Sequence, residues 1–297
     1  MALSDRIVRL TAELEKFERP VRTPGTATEI NKSRLNATRE QLIVVGTGIR
    51  IAGQLTIEAA AWISRAERLF YCVADPVGER IICALNERAE ALMPFYVDGK
   101  PRSETYESMV ETIMQSVRAG DMTVVAFYGH PGVFAFPSHE VIRRARAERF
   151  CARMLPAVSA EDCLFADLGV DPADTGCQSL EASDFLLRMR TIDTTQQLVL
   201  WQIGVLGEWV YRREFYELCA APLLVQKLLE TYPPTHAAIV YEAATSLGAT
   251  PRIVSTAIGA IHTVALTPIS TLYVPPVRAA DFDLAFATQL PLPVSQT

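Results

Sequence analysis

Thr123-Val124-Val125-Ala126-Phe127-Tyr128-Gly129-His130-Pro131-Gly132-Val133-Phe134 is the stretch that decides the fold. Thr123–Phe127 is apolar after its first residue and β-branched in three of five, which suits a strand buried on both faces. Two glycines around Pro131 then make a rigid loop with exposed backbone donors and acceptors. Ser138–Ala147 follows with helical spacing. Strand, glycine loop and helix together are one βα unit of a parallel sheet. The loop suits a zwitterionic ligand with polar edges, although an ordinary turn explains it equally when it is taken alone.

The same rhythm extends in both directions. Leu42–Val45 is a short apolar strand ending in Gly46-Thr47-Gly48, and Leu55, Ala59, Trp62, Ile63 and Ala66 then mark a helix. Leu69–Val73 reads as a strand, Asp75-Pro76 as a helix start, Ser103–Val117 as a helix and Cys151–Leu155 as a strand. In the second half Leu198–Gln202, Ala238–Tyr241 and Ser270–Val274 read as strands and Phe215–Glu230 as a long helix. The expected class is α/β, with two domains, each a mostly parallel sheet flanked by helices. The expected boundaries are an N-terminal helical extension (1–40), an N-terminal α/β domain (41–157), a C-terminal α/β domain (158–276) and a tail (277–297). The extension rests on Leu3, Ile7, Leu10, Leu14 and Phe17, which share one helical face.

Composition narrows the function. Over 297 residues, 49% are hydrophobic and 21% charged, and the formal net charge is −6. That balance is globular and argues against nucleic acid or an anionic membrane as the main partner. No apolar run approaches the length of a bilayer span or forms a signal-peptide centre, so a cytoplasmic protein is expected. The six cysteines form no CxxC pair and read as reduced, packed thiols. The four histidines lack metal-ligand spacing, and no metal is expected.

Gly46-Thr47-Gly48 suggests a nicotinamide dinucleotide site, but the next glycine is Gly53, five residues on rather than three. Asp75 before Pro76 is better read as a helix cap. Met154-Leu155-Pro156-Ala157-Val158-Ser159-Ala160-Glu161-Asp162 also follows a strand. Ser159 reads as a helix N-cap, which leaves nearby backbone available to a ligand.

Taken together, the strand–GTG unit, the YGHPGVF loop, LPAVSAEDCLFADLG (155–169) and EASDFLLRMR (181–190) resemble the tetrapyrrole-methylase superfamily. Phe95-Tyr96-Val97-Asp98-Gly99-Lys100-Pro101-Arg102-Ser103-Glu104-Thr105-Tyr106 is similar, more narrowly, to the Tyr-x-x-Gly-Lys-x-Arg-x-x-x-Tyr segment of the borosin, or omphalotin-type, peptide α-N-methyltransferases. The resemblance runs from about Leu42 to Pro276. It implies a two-domain methylase with its cofactor cleft between the domains. The cofactor would be S-adenosylmethionine, with S-adenosylhomocysteine as product. The implied activity is backbone N-methylation of a ribosomally made precursor peptide by a homodimer. By the same resemblance, Gly46, Gly48, Tyr128, His130, Val133, Phe134, Ser159, Ala160, Gln202, Ser270 and Thr271 would contact the cofactor. Two positions depart from the pattern: Ala157 and Pro268 stand where glycines are expected.

An amide nitrogen is a poor nucleophile because its lone pair is shared with the carbonyl. Its methylation calls for a stabilised oxygen and an exit for the N–H proton. Arg102 offers a permanent forked cation for the oxygen. Tyr96 and Tyr106 offer hydroxyls, and Tyr128 is implied to lie beside the transferring methyl. A phenol near Arg102 is expected to have its ionised form favoured. Phe282–Thr297 contains no Val/Ile/Gly-rich acceptor run, so a separate peptide methylated in trans is expected, with Leu292–Gln296 as an alternative self-substrate. The competing readings are a porphyrinoid methyltransferase and a non-catalytic binding scaffold.

Overall fold

β1 (Leu42–Gly46) and β4 (Thr123–Phe127) lie side by side and parallel, with Leu42 opposite Thr123 and Gly46 opposite Phe127. They belong to a computed structural model that describes residues 40–73, 75–213, 216 and 220–290. The expected helix through Leu3–Phe17 and the segment 291–297 lie outside the described residues.

The described residues from 40 to Leu164 form a first unit together with those of two later segments, 209–213 and Ala243–Thr250. The second unit holds Phe165–Glu208, Tyr216–Glu242 and the chain from Pro251. The first unit's sheet has the order β3-β2-β4-β1-β5, with β2 at Arg68–Cys72, β3 at Ala89–Ala91 and β5 at Ala152–Met154. All of its pairings are parallel. Alternate residues of β1 serve opposite faces. Leu42 and Val44 pack with Met109, Ile113 and Val117 of the helix Arg102–Ala119 and with Val141 and Ala145 of Phe136–Ala147. Ile43 and Val45 pack with Ala59 and Ile63 of Ile57–Arg65 and with Ile82 of Pro76–Leu85. Asp75 caps this last helix as expected, accepting from the backbone N–H of Val77 and Gly78 at 2.9 Å each.

This strand order fixes where a ligand can sit. The connection from β1 leads to β2, beyond β4, whereas the connection from β4 leads to β5, beyond β1. Neighbouring strands thus send the chain opposite ways. The carboxyl edge between them is the crevice where open α/β sheets bind ligands.

The second unit keeps an α/β character but corrects one expectation, because its sheet is not mostly parallel. Its order is β6-β7-β10-β8-β9, with β6 at Cys177–Glu181, β7 at Gln197–Trp201, β8 at Ala237–Glu242, β9 at Arg252–Ala257 and β10 at Thr271–Val274. Only β6 and β7 pair in parallel, and the other three pairings are antiparallel. β9 went unread in the sequence because its residues alternate half-buried and exposed. It returns directly alongside β8 without a crossover helix, which antiparallel strands do not need. The helix expected over Phe215–Glu230 is Ala221–Leu229, and residues 217–219 are not among those described. Pro222 explains that start, since proline is tolerated only in a helix's first turn.

Candidate active site

Three loops meet at the carboxyl edge of the first sheet. Gly48 and Gly129 exchange backbone hydrogen bonds of 3.3 and 3.1 Å, which ties the loop after β1 to the loop after β4. Both glycines have positive φ, +71° and +70°, a conformation open to glycine at little penalty. A Cβ on Gly46 would stand 2.2 Å from the Gly129 carbonyl oxygen and 2.5 Å from the Ala157 Cβ. The segment after β5 therefore closes on the same point. Ala157 is not among the positive-φ residues, so its departure from glycine brings no backbone strain.

The YGHPGVF loop is braced internally. Gly132 N–H donates to His130 Nδ1 at 2.9 Å, and the ring of His139, not singled out in the sequence, bonds the Gly132 carbonyl at 2.9 Å through Nε2. Phe134 holds φ at +51° although it is bulky. In the second unit Gln202 does the same at +60°. Such conformations cost on the order of 1–3 kcal/mol each and persist where the surroundings over-determine them, typically at ligand sites. Both residues were assigned to the cofactor by resemblance, and both are apolar or neutral groups suited to an uncharged nucleoside.

Ser159 caps Ala160–Leu168 in a reciprocal box. Its hydroxyl accepts from Asp162 N–H at 3.2 Å and donates to the Asp162 carboxylate, which also takes Ser159 N–H at 2.7 Å. The hydroxyl's donor and one of its two lone pairs are thereby engaged. Ser270 in the second unit is similar: its Oγ donates to Glu242 at 2.5 Å and accepts from Thr267 N–H at 2.8 Å. Ser270 N–H returns to the Thr267 carbonyl at 2.9 Å, which puts Pro268 second in a β-turn, where its fixed φ fits. Ile203 N–H donates to the Ser270 carbonyl at 3.1 Å, so Gln202 and Ser270 are neighbours, and Thr271 beside them is buried. With both hydroxyl donors committed, these positions offer a ligand backbone groups and one remaining acceptor lone pair on each hydroxyl.

The Tyr96–Tyr106 segment folds as its spacing requires. Lys100 N–H closes a turn onto the Val97 carbonyl at 3.0 Å, with Gly99 at φ +76°. Arg102 opens the long helix, and Tyr106 stands one turn later on the same face. The rings of Tyr96 and Tyr106 meet edge to face, centroids 6.4 Å apart, and Tyr106 stacks on the exposed Phe136 at 6.0 Å. Tyr128 N–H donates to the Cys72 carbonyl at 2.9 Å, and the Cys72 thiol lies close enough to Tyr96 to act on its charge. The structure thus brings Tyr96, Arg102 and Tyr106 together, while Tyr128 stands just past the end of β4, with Cys163 and Asp75 the groups that act on its phenol.

The electrostatics show which influence prevails at Tyr96. Burial pushes the Tyr96 phenol well above its ordinary range, Cys72 and a hydrogen bond shared with Tyr106 push it further, and the opposing pull of Arg102 is the smallest influence. Desolvation outweighs the guanidinium, so Tyr96 is held protonated rather than ionised. Burial, with Cys163 and Asp75 adding to it, pushes Tyr128 up to about 12. Cys72 is pushed up to about 11 by burial and is an unreactive thiol at neutral pH.

Sequence reasoning missed Tyr211, whose ring centroid lies 4.9 Å from that of Tyr96. Its only signal was an aromatic run, Trp209-Val210-Tyr211, more than a hundred residues downstream. Among the described residues no group of three His, Cys, Asp or Glu could hold a metal ion, and no helix is long and apolar enough to cross a membrane.

Residues 41–260 match the sequence pattern of the tetrapyrrole (corrin/porphyrin) methylases. The chain belongs to this family. Among relatives of this tetrapyrrole methylase is a "methyltransferase/ribosomally synthesized cyclic peptide dendrothelin A precursor" of Dendrothele bispora, 41% identical over 82% of the chain and 59% of that protein. The omphalotin A precursor of Omphalotus olearius, likewise a methyltransferase/precursor, is 39% identical over 86% of the chain and 62% of that protein. A type III borosin precursor of Anomoporia bombycina is 42% identical over 80% of the chain and 28% of that protein. The resemblance read from the motifs holds, although the chain spans less than two thirds of the length of these relatives. Among solved structures, uroporphyrin-III-C-methyltransferase from Thermus thermophilus superposes with a TM-score of 0.58 at 18% identity, covering 80% of this chain and 92% of its own. That likeness shows the shared fold.

Proposed function

We propose that this chain is an S-adenosylmethionine-dependent methyltransferase that N-methylates backbone amides of a ribosomally made precursor peptide. The observation that carries the proposal is the cluster of Tyr96, Arg102 and Tyr106, with Tyr128 at the end of β4, on a sheet edge built to take a ligand, in a chain about 40% identical to relatives named as methyltransferase/peptide precursors. The glycine-to-glycine contact of the first two loops and the left-handed Phe134 fit an amino-acid nucleoside, which needs close backbone and an apolar wall. When bound, that cofactor supplies an electrophilic methyl on a sulfonium.

The chain's own residues prepare the acceptor. Arg102 stabilises the peptide oxygen as charge moves onto it from the nitrogen. Tyr96, held protonated, donates a second hydrogen bond to the same oxygen. Tyr106, the phenol one helical turn from Arg102, takes up the N–H proton as it passes its own hydroxyl proton on to water, while the nitrogen gains the methyl and the amide ends neutral. Burial of these groups strengthens each contact.

The acceptor is proposed to be a separate peptide presented in trans, and whether the protein also methylates itself is read by the same experiment. A homodimer is proposed as well, supported by the exposed Phe282, Leu284 and Phe286. Incubation with a precursor peptide and S-adenosylmethionine, followed by tandem mass spectrometry, should place methyl increments on backbone amides. Methylation confined to carbon or side chains would overturn the proposal, and increments on the protein's own chain would overturn the trans reading.

A further inference from the structure

The segment 209–213 reaches the site as a strap. Arg102 N–H donates to the Trp209 carbonyl at 3.0 Å, Tyr211 N–H to the Lys100 carbonyl at 2.9 Å, and Gly99 N–H to the Tyr211 carbonyl at 2.8 Å. Pro101 and Val210 form an antiparallel bridge, and Arg213 N–H donates to the Asp98 carboxylate at 3.0 Å. The turn that delivers Arg102 is therefore paired along its whole length with chain from far downstream. Tyr211 sits at the middle of the strap, anchored through both backbone groups, with its half-buried ring tilted 48° against Tyr96.

Two ring contacts bound Tyr96. Tyr106 meets it edge-on, and Tyr211 packs closer, with centroids 4.9 Å apart against 6.4 Å. Tyr96 lies just beyond the short 3₁₀ turn Met93–Phe95, outside the long helix, so its own backbone restrains it less than Tyr106 is restrained. A ring in that setting needs a neighbour to select its rotamer.

We propose that Tyr211 is a positioning residue: its ring, fixed by the 209–213 strap, holds the Tyr96 phenol in place and shields it from water. The proposal rests on the assignment of Tyr96 to the reaction, but its structural half can be read without catalysis. Tyr96 faces Tyr106, Arg102, Cys72 and Tyr211, and of these only Arg102 favours its ionised form. Removing the Tyr211 ring admits water and lets the phenol ionise at lower pH.

The test compares Tyr211→Ala and Tyr211→Phe with the parent, using tyrosinate absorbance against pH and methylation kinetics. In Tyr211→Ala one additional tyrosine should titrate below the range where Tyr96 ionises in the parent, and it should vanish in Tyr211→Ala/Tyr96→Phe. Peptide kcat should fall on the order of 10- to 100-fold, the scale of a small misplacement, with the cofactor KM unchanged. Tyr211→Phe, which keeps the ring, should restore both readouts. If Tyr211→Ala fails to fold, Tyr211→Leu takes its place, with the same expectations. Titration and kcat matching the parent would overturn the proposal, as would a kcat loss in Tyr211→Phe equal to that in Tyr211→Ala. A titration shift in a protein that methylates no peptide would keep the Tyr211–Tyr96 relationship and discard the proposed function instead.

Discussion

Gly46 faces Gly129 so closely that one added carbon on Gly46 would stand 2.2 Å from the Gly129 carbonyl oxygen, with the Pro131 Cδ at 2.6 Å. The contact joins the ends of the two central strands, and backbone on one side with a proline ring on the other leaves nothing to swing away. Gly46→Ala should therefore push the YGHPGVF loop from its place. The expected outcome is a loss of about 1–3 kcal/mol in chemical denaturation, the range for overpacking, with weakened S-adenosylmethionine binding in calorimetry.

Arg102 opens the long helix with Tyr106 one turn on, and it is not part of the buried apolar cluster beneath that helix. Arg102→Lys keeps the charge but loses the planar fork. Methylation kcat should fall on the order of 100- to 1000-fold, the scale for removing one oxyanion donor, while circular dichroism stays that of the parent.

Ser159 separates capping from binding. Its hydroxyl is engaged by Asp162 in both directions. Ser159→Ala should lower stability by about 1 kcal/mol, the typical value of an N-cap. The cofactor KM should stay within twofold of the parent, and a large rise would show that the hydroxyl contacts ligand.

Alongside the more strongly shifted Tyr71 and Tyr96, the phenols of Tyr128 and Tyr232 contribute to the alkaline limb of stability. Burial pushes both phenols up to about 12, against an ordinary value near 10. Below about pH 10 both are protonated in the folded and unfolded chains alike, and their contribution is intact. Between about 10 and about 12 the unfolded chain releases protons that the folded chain keeps, so stability falls as pH rises. Denaturation midpoints against pH should show this fall, and it should be shallower in Tyr128→Phe and in Tyr232→Phe.

Tyr232 carries a second expectation. Its buried hydroxyl has no hydrogen-bond partner among the described residues. Tyr232→Phe removes a polar group that water would otherwise solvate, so stability at neutral pH should rise by about 1 kcal/mol. A thermal melt showing a clear loss would mean that the hydroxyl is satisfied.

Much of the site was legible because its parts are local. A strand followed by glycines, a turn with Gly99 at positive φ, and Arg102 four residues before Tyr106 are all set within a dozen residues. Their backbone demands are written in residue types. The second sheet was harder to read, since β9 is an amphipathic strand whose direction depends on its pairing with β8 rather than on its own composition.

The sequence by itself determined the α/β class, the parallel first sheet and the helix cap at Asp75, because period, glycine placement and capping are near-neighbour physics, whereas the site residues came from the resemblance to a family. Only the tertiary structure decided that Tyr211 packs on Tyr96, that the Ser270 hydroxyl is engaged by Glu242, and that burial overrides Arg102 in holding Tyr96 protonated. Desolvation and ring contacts are sums over whatever the fold brings close. No local stretch of chain encodes what will arrive from a hundred residues away.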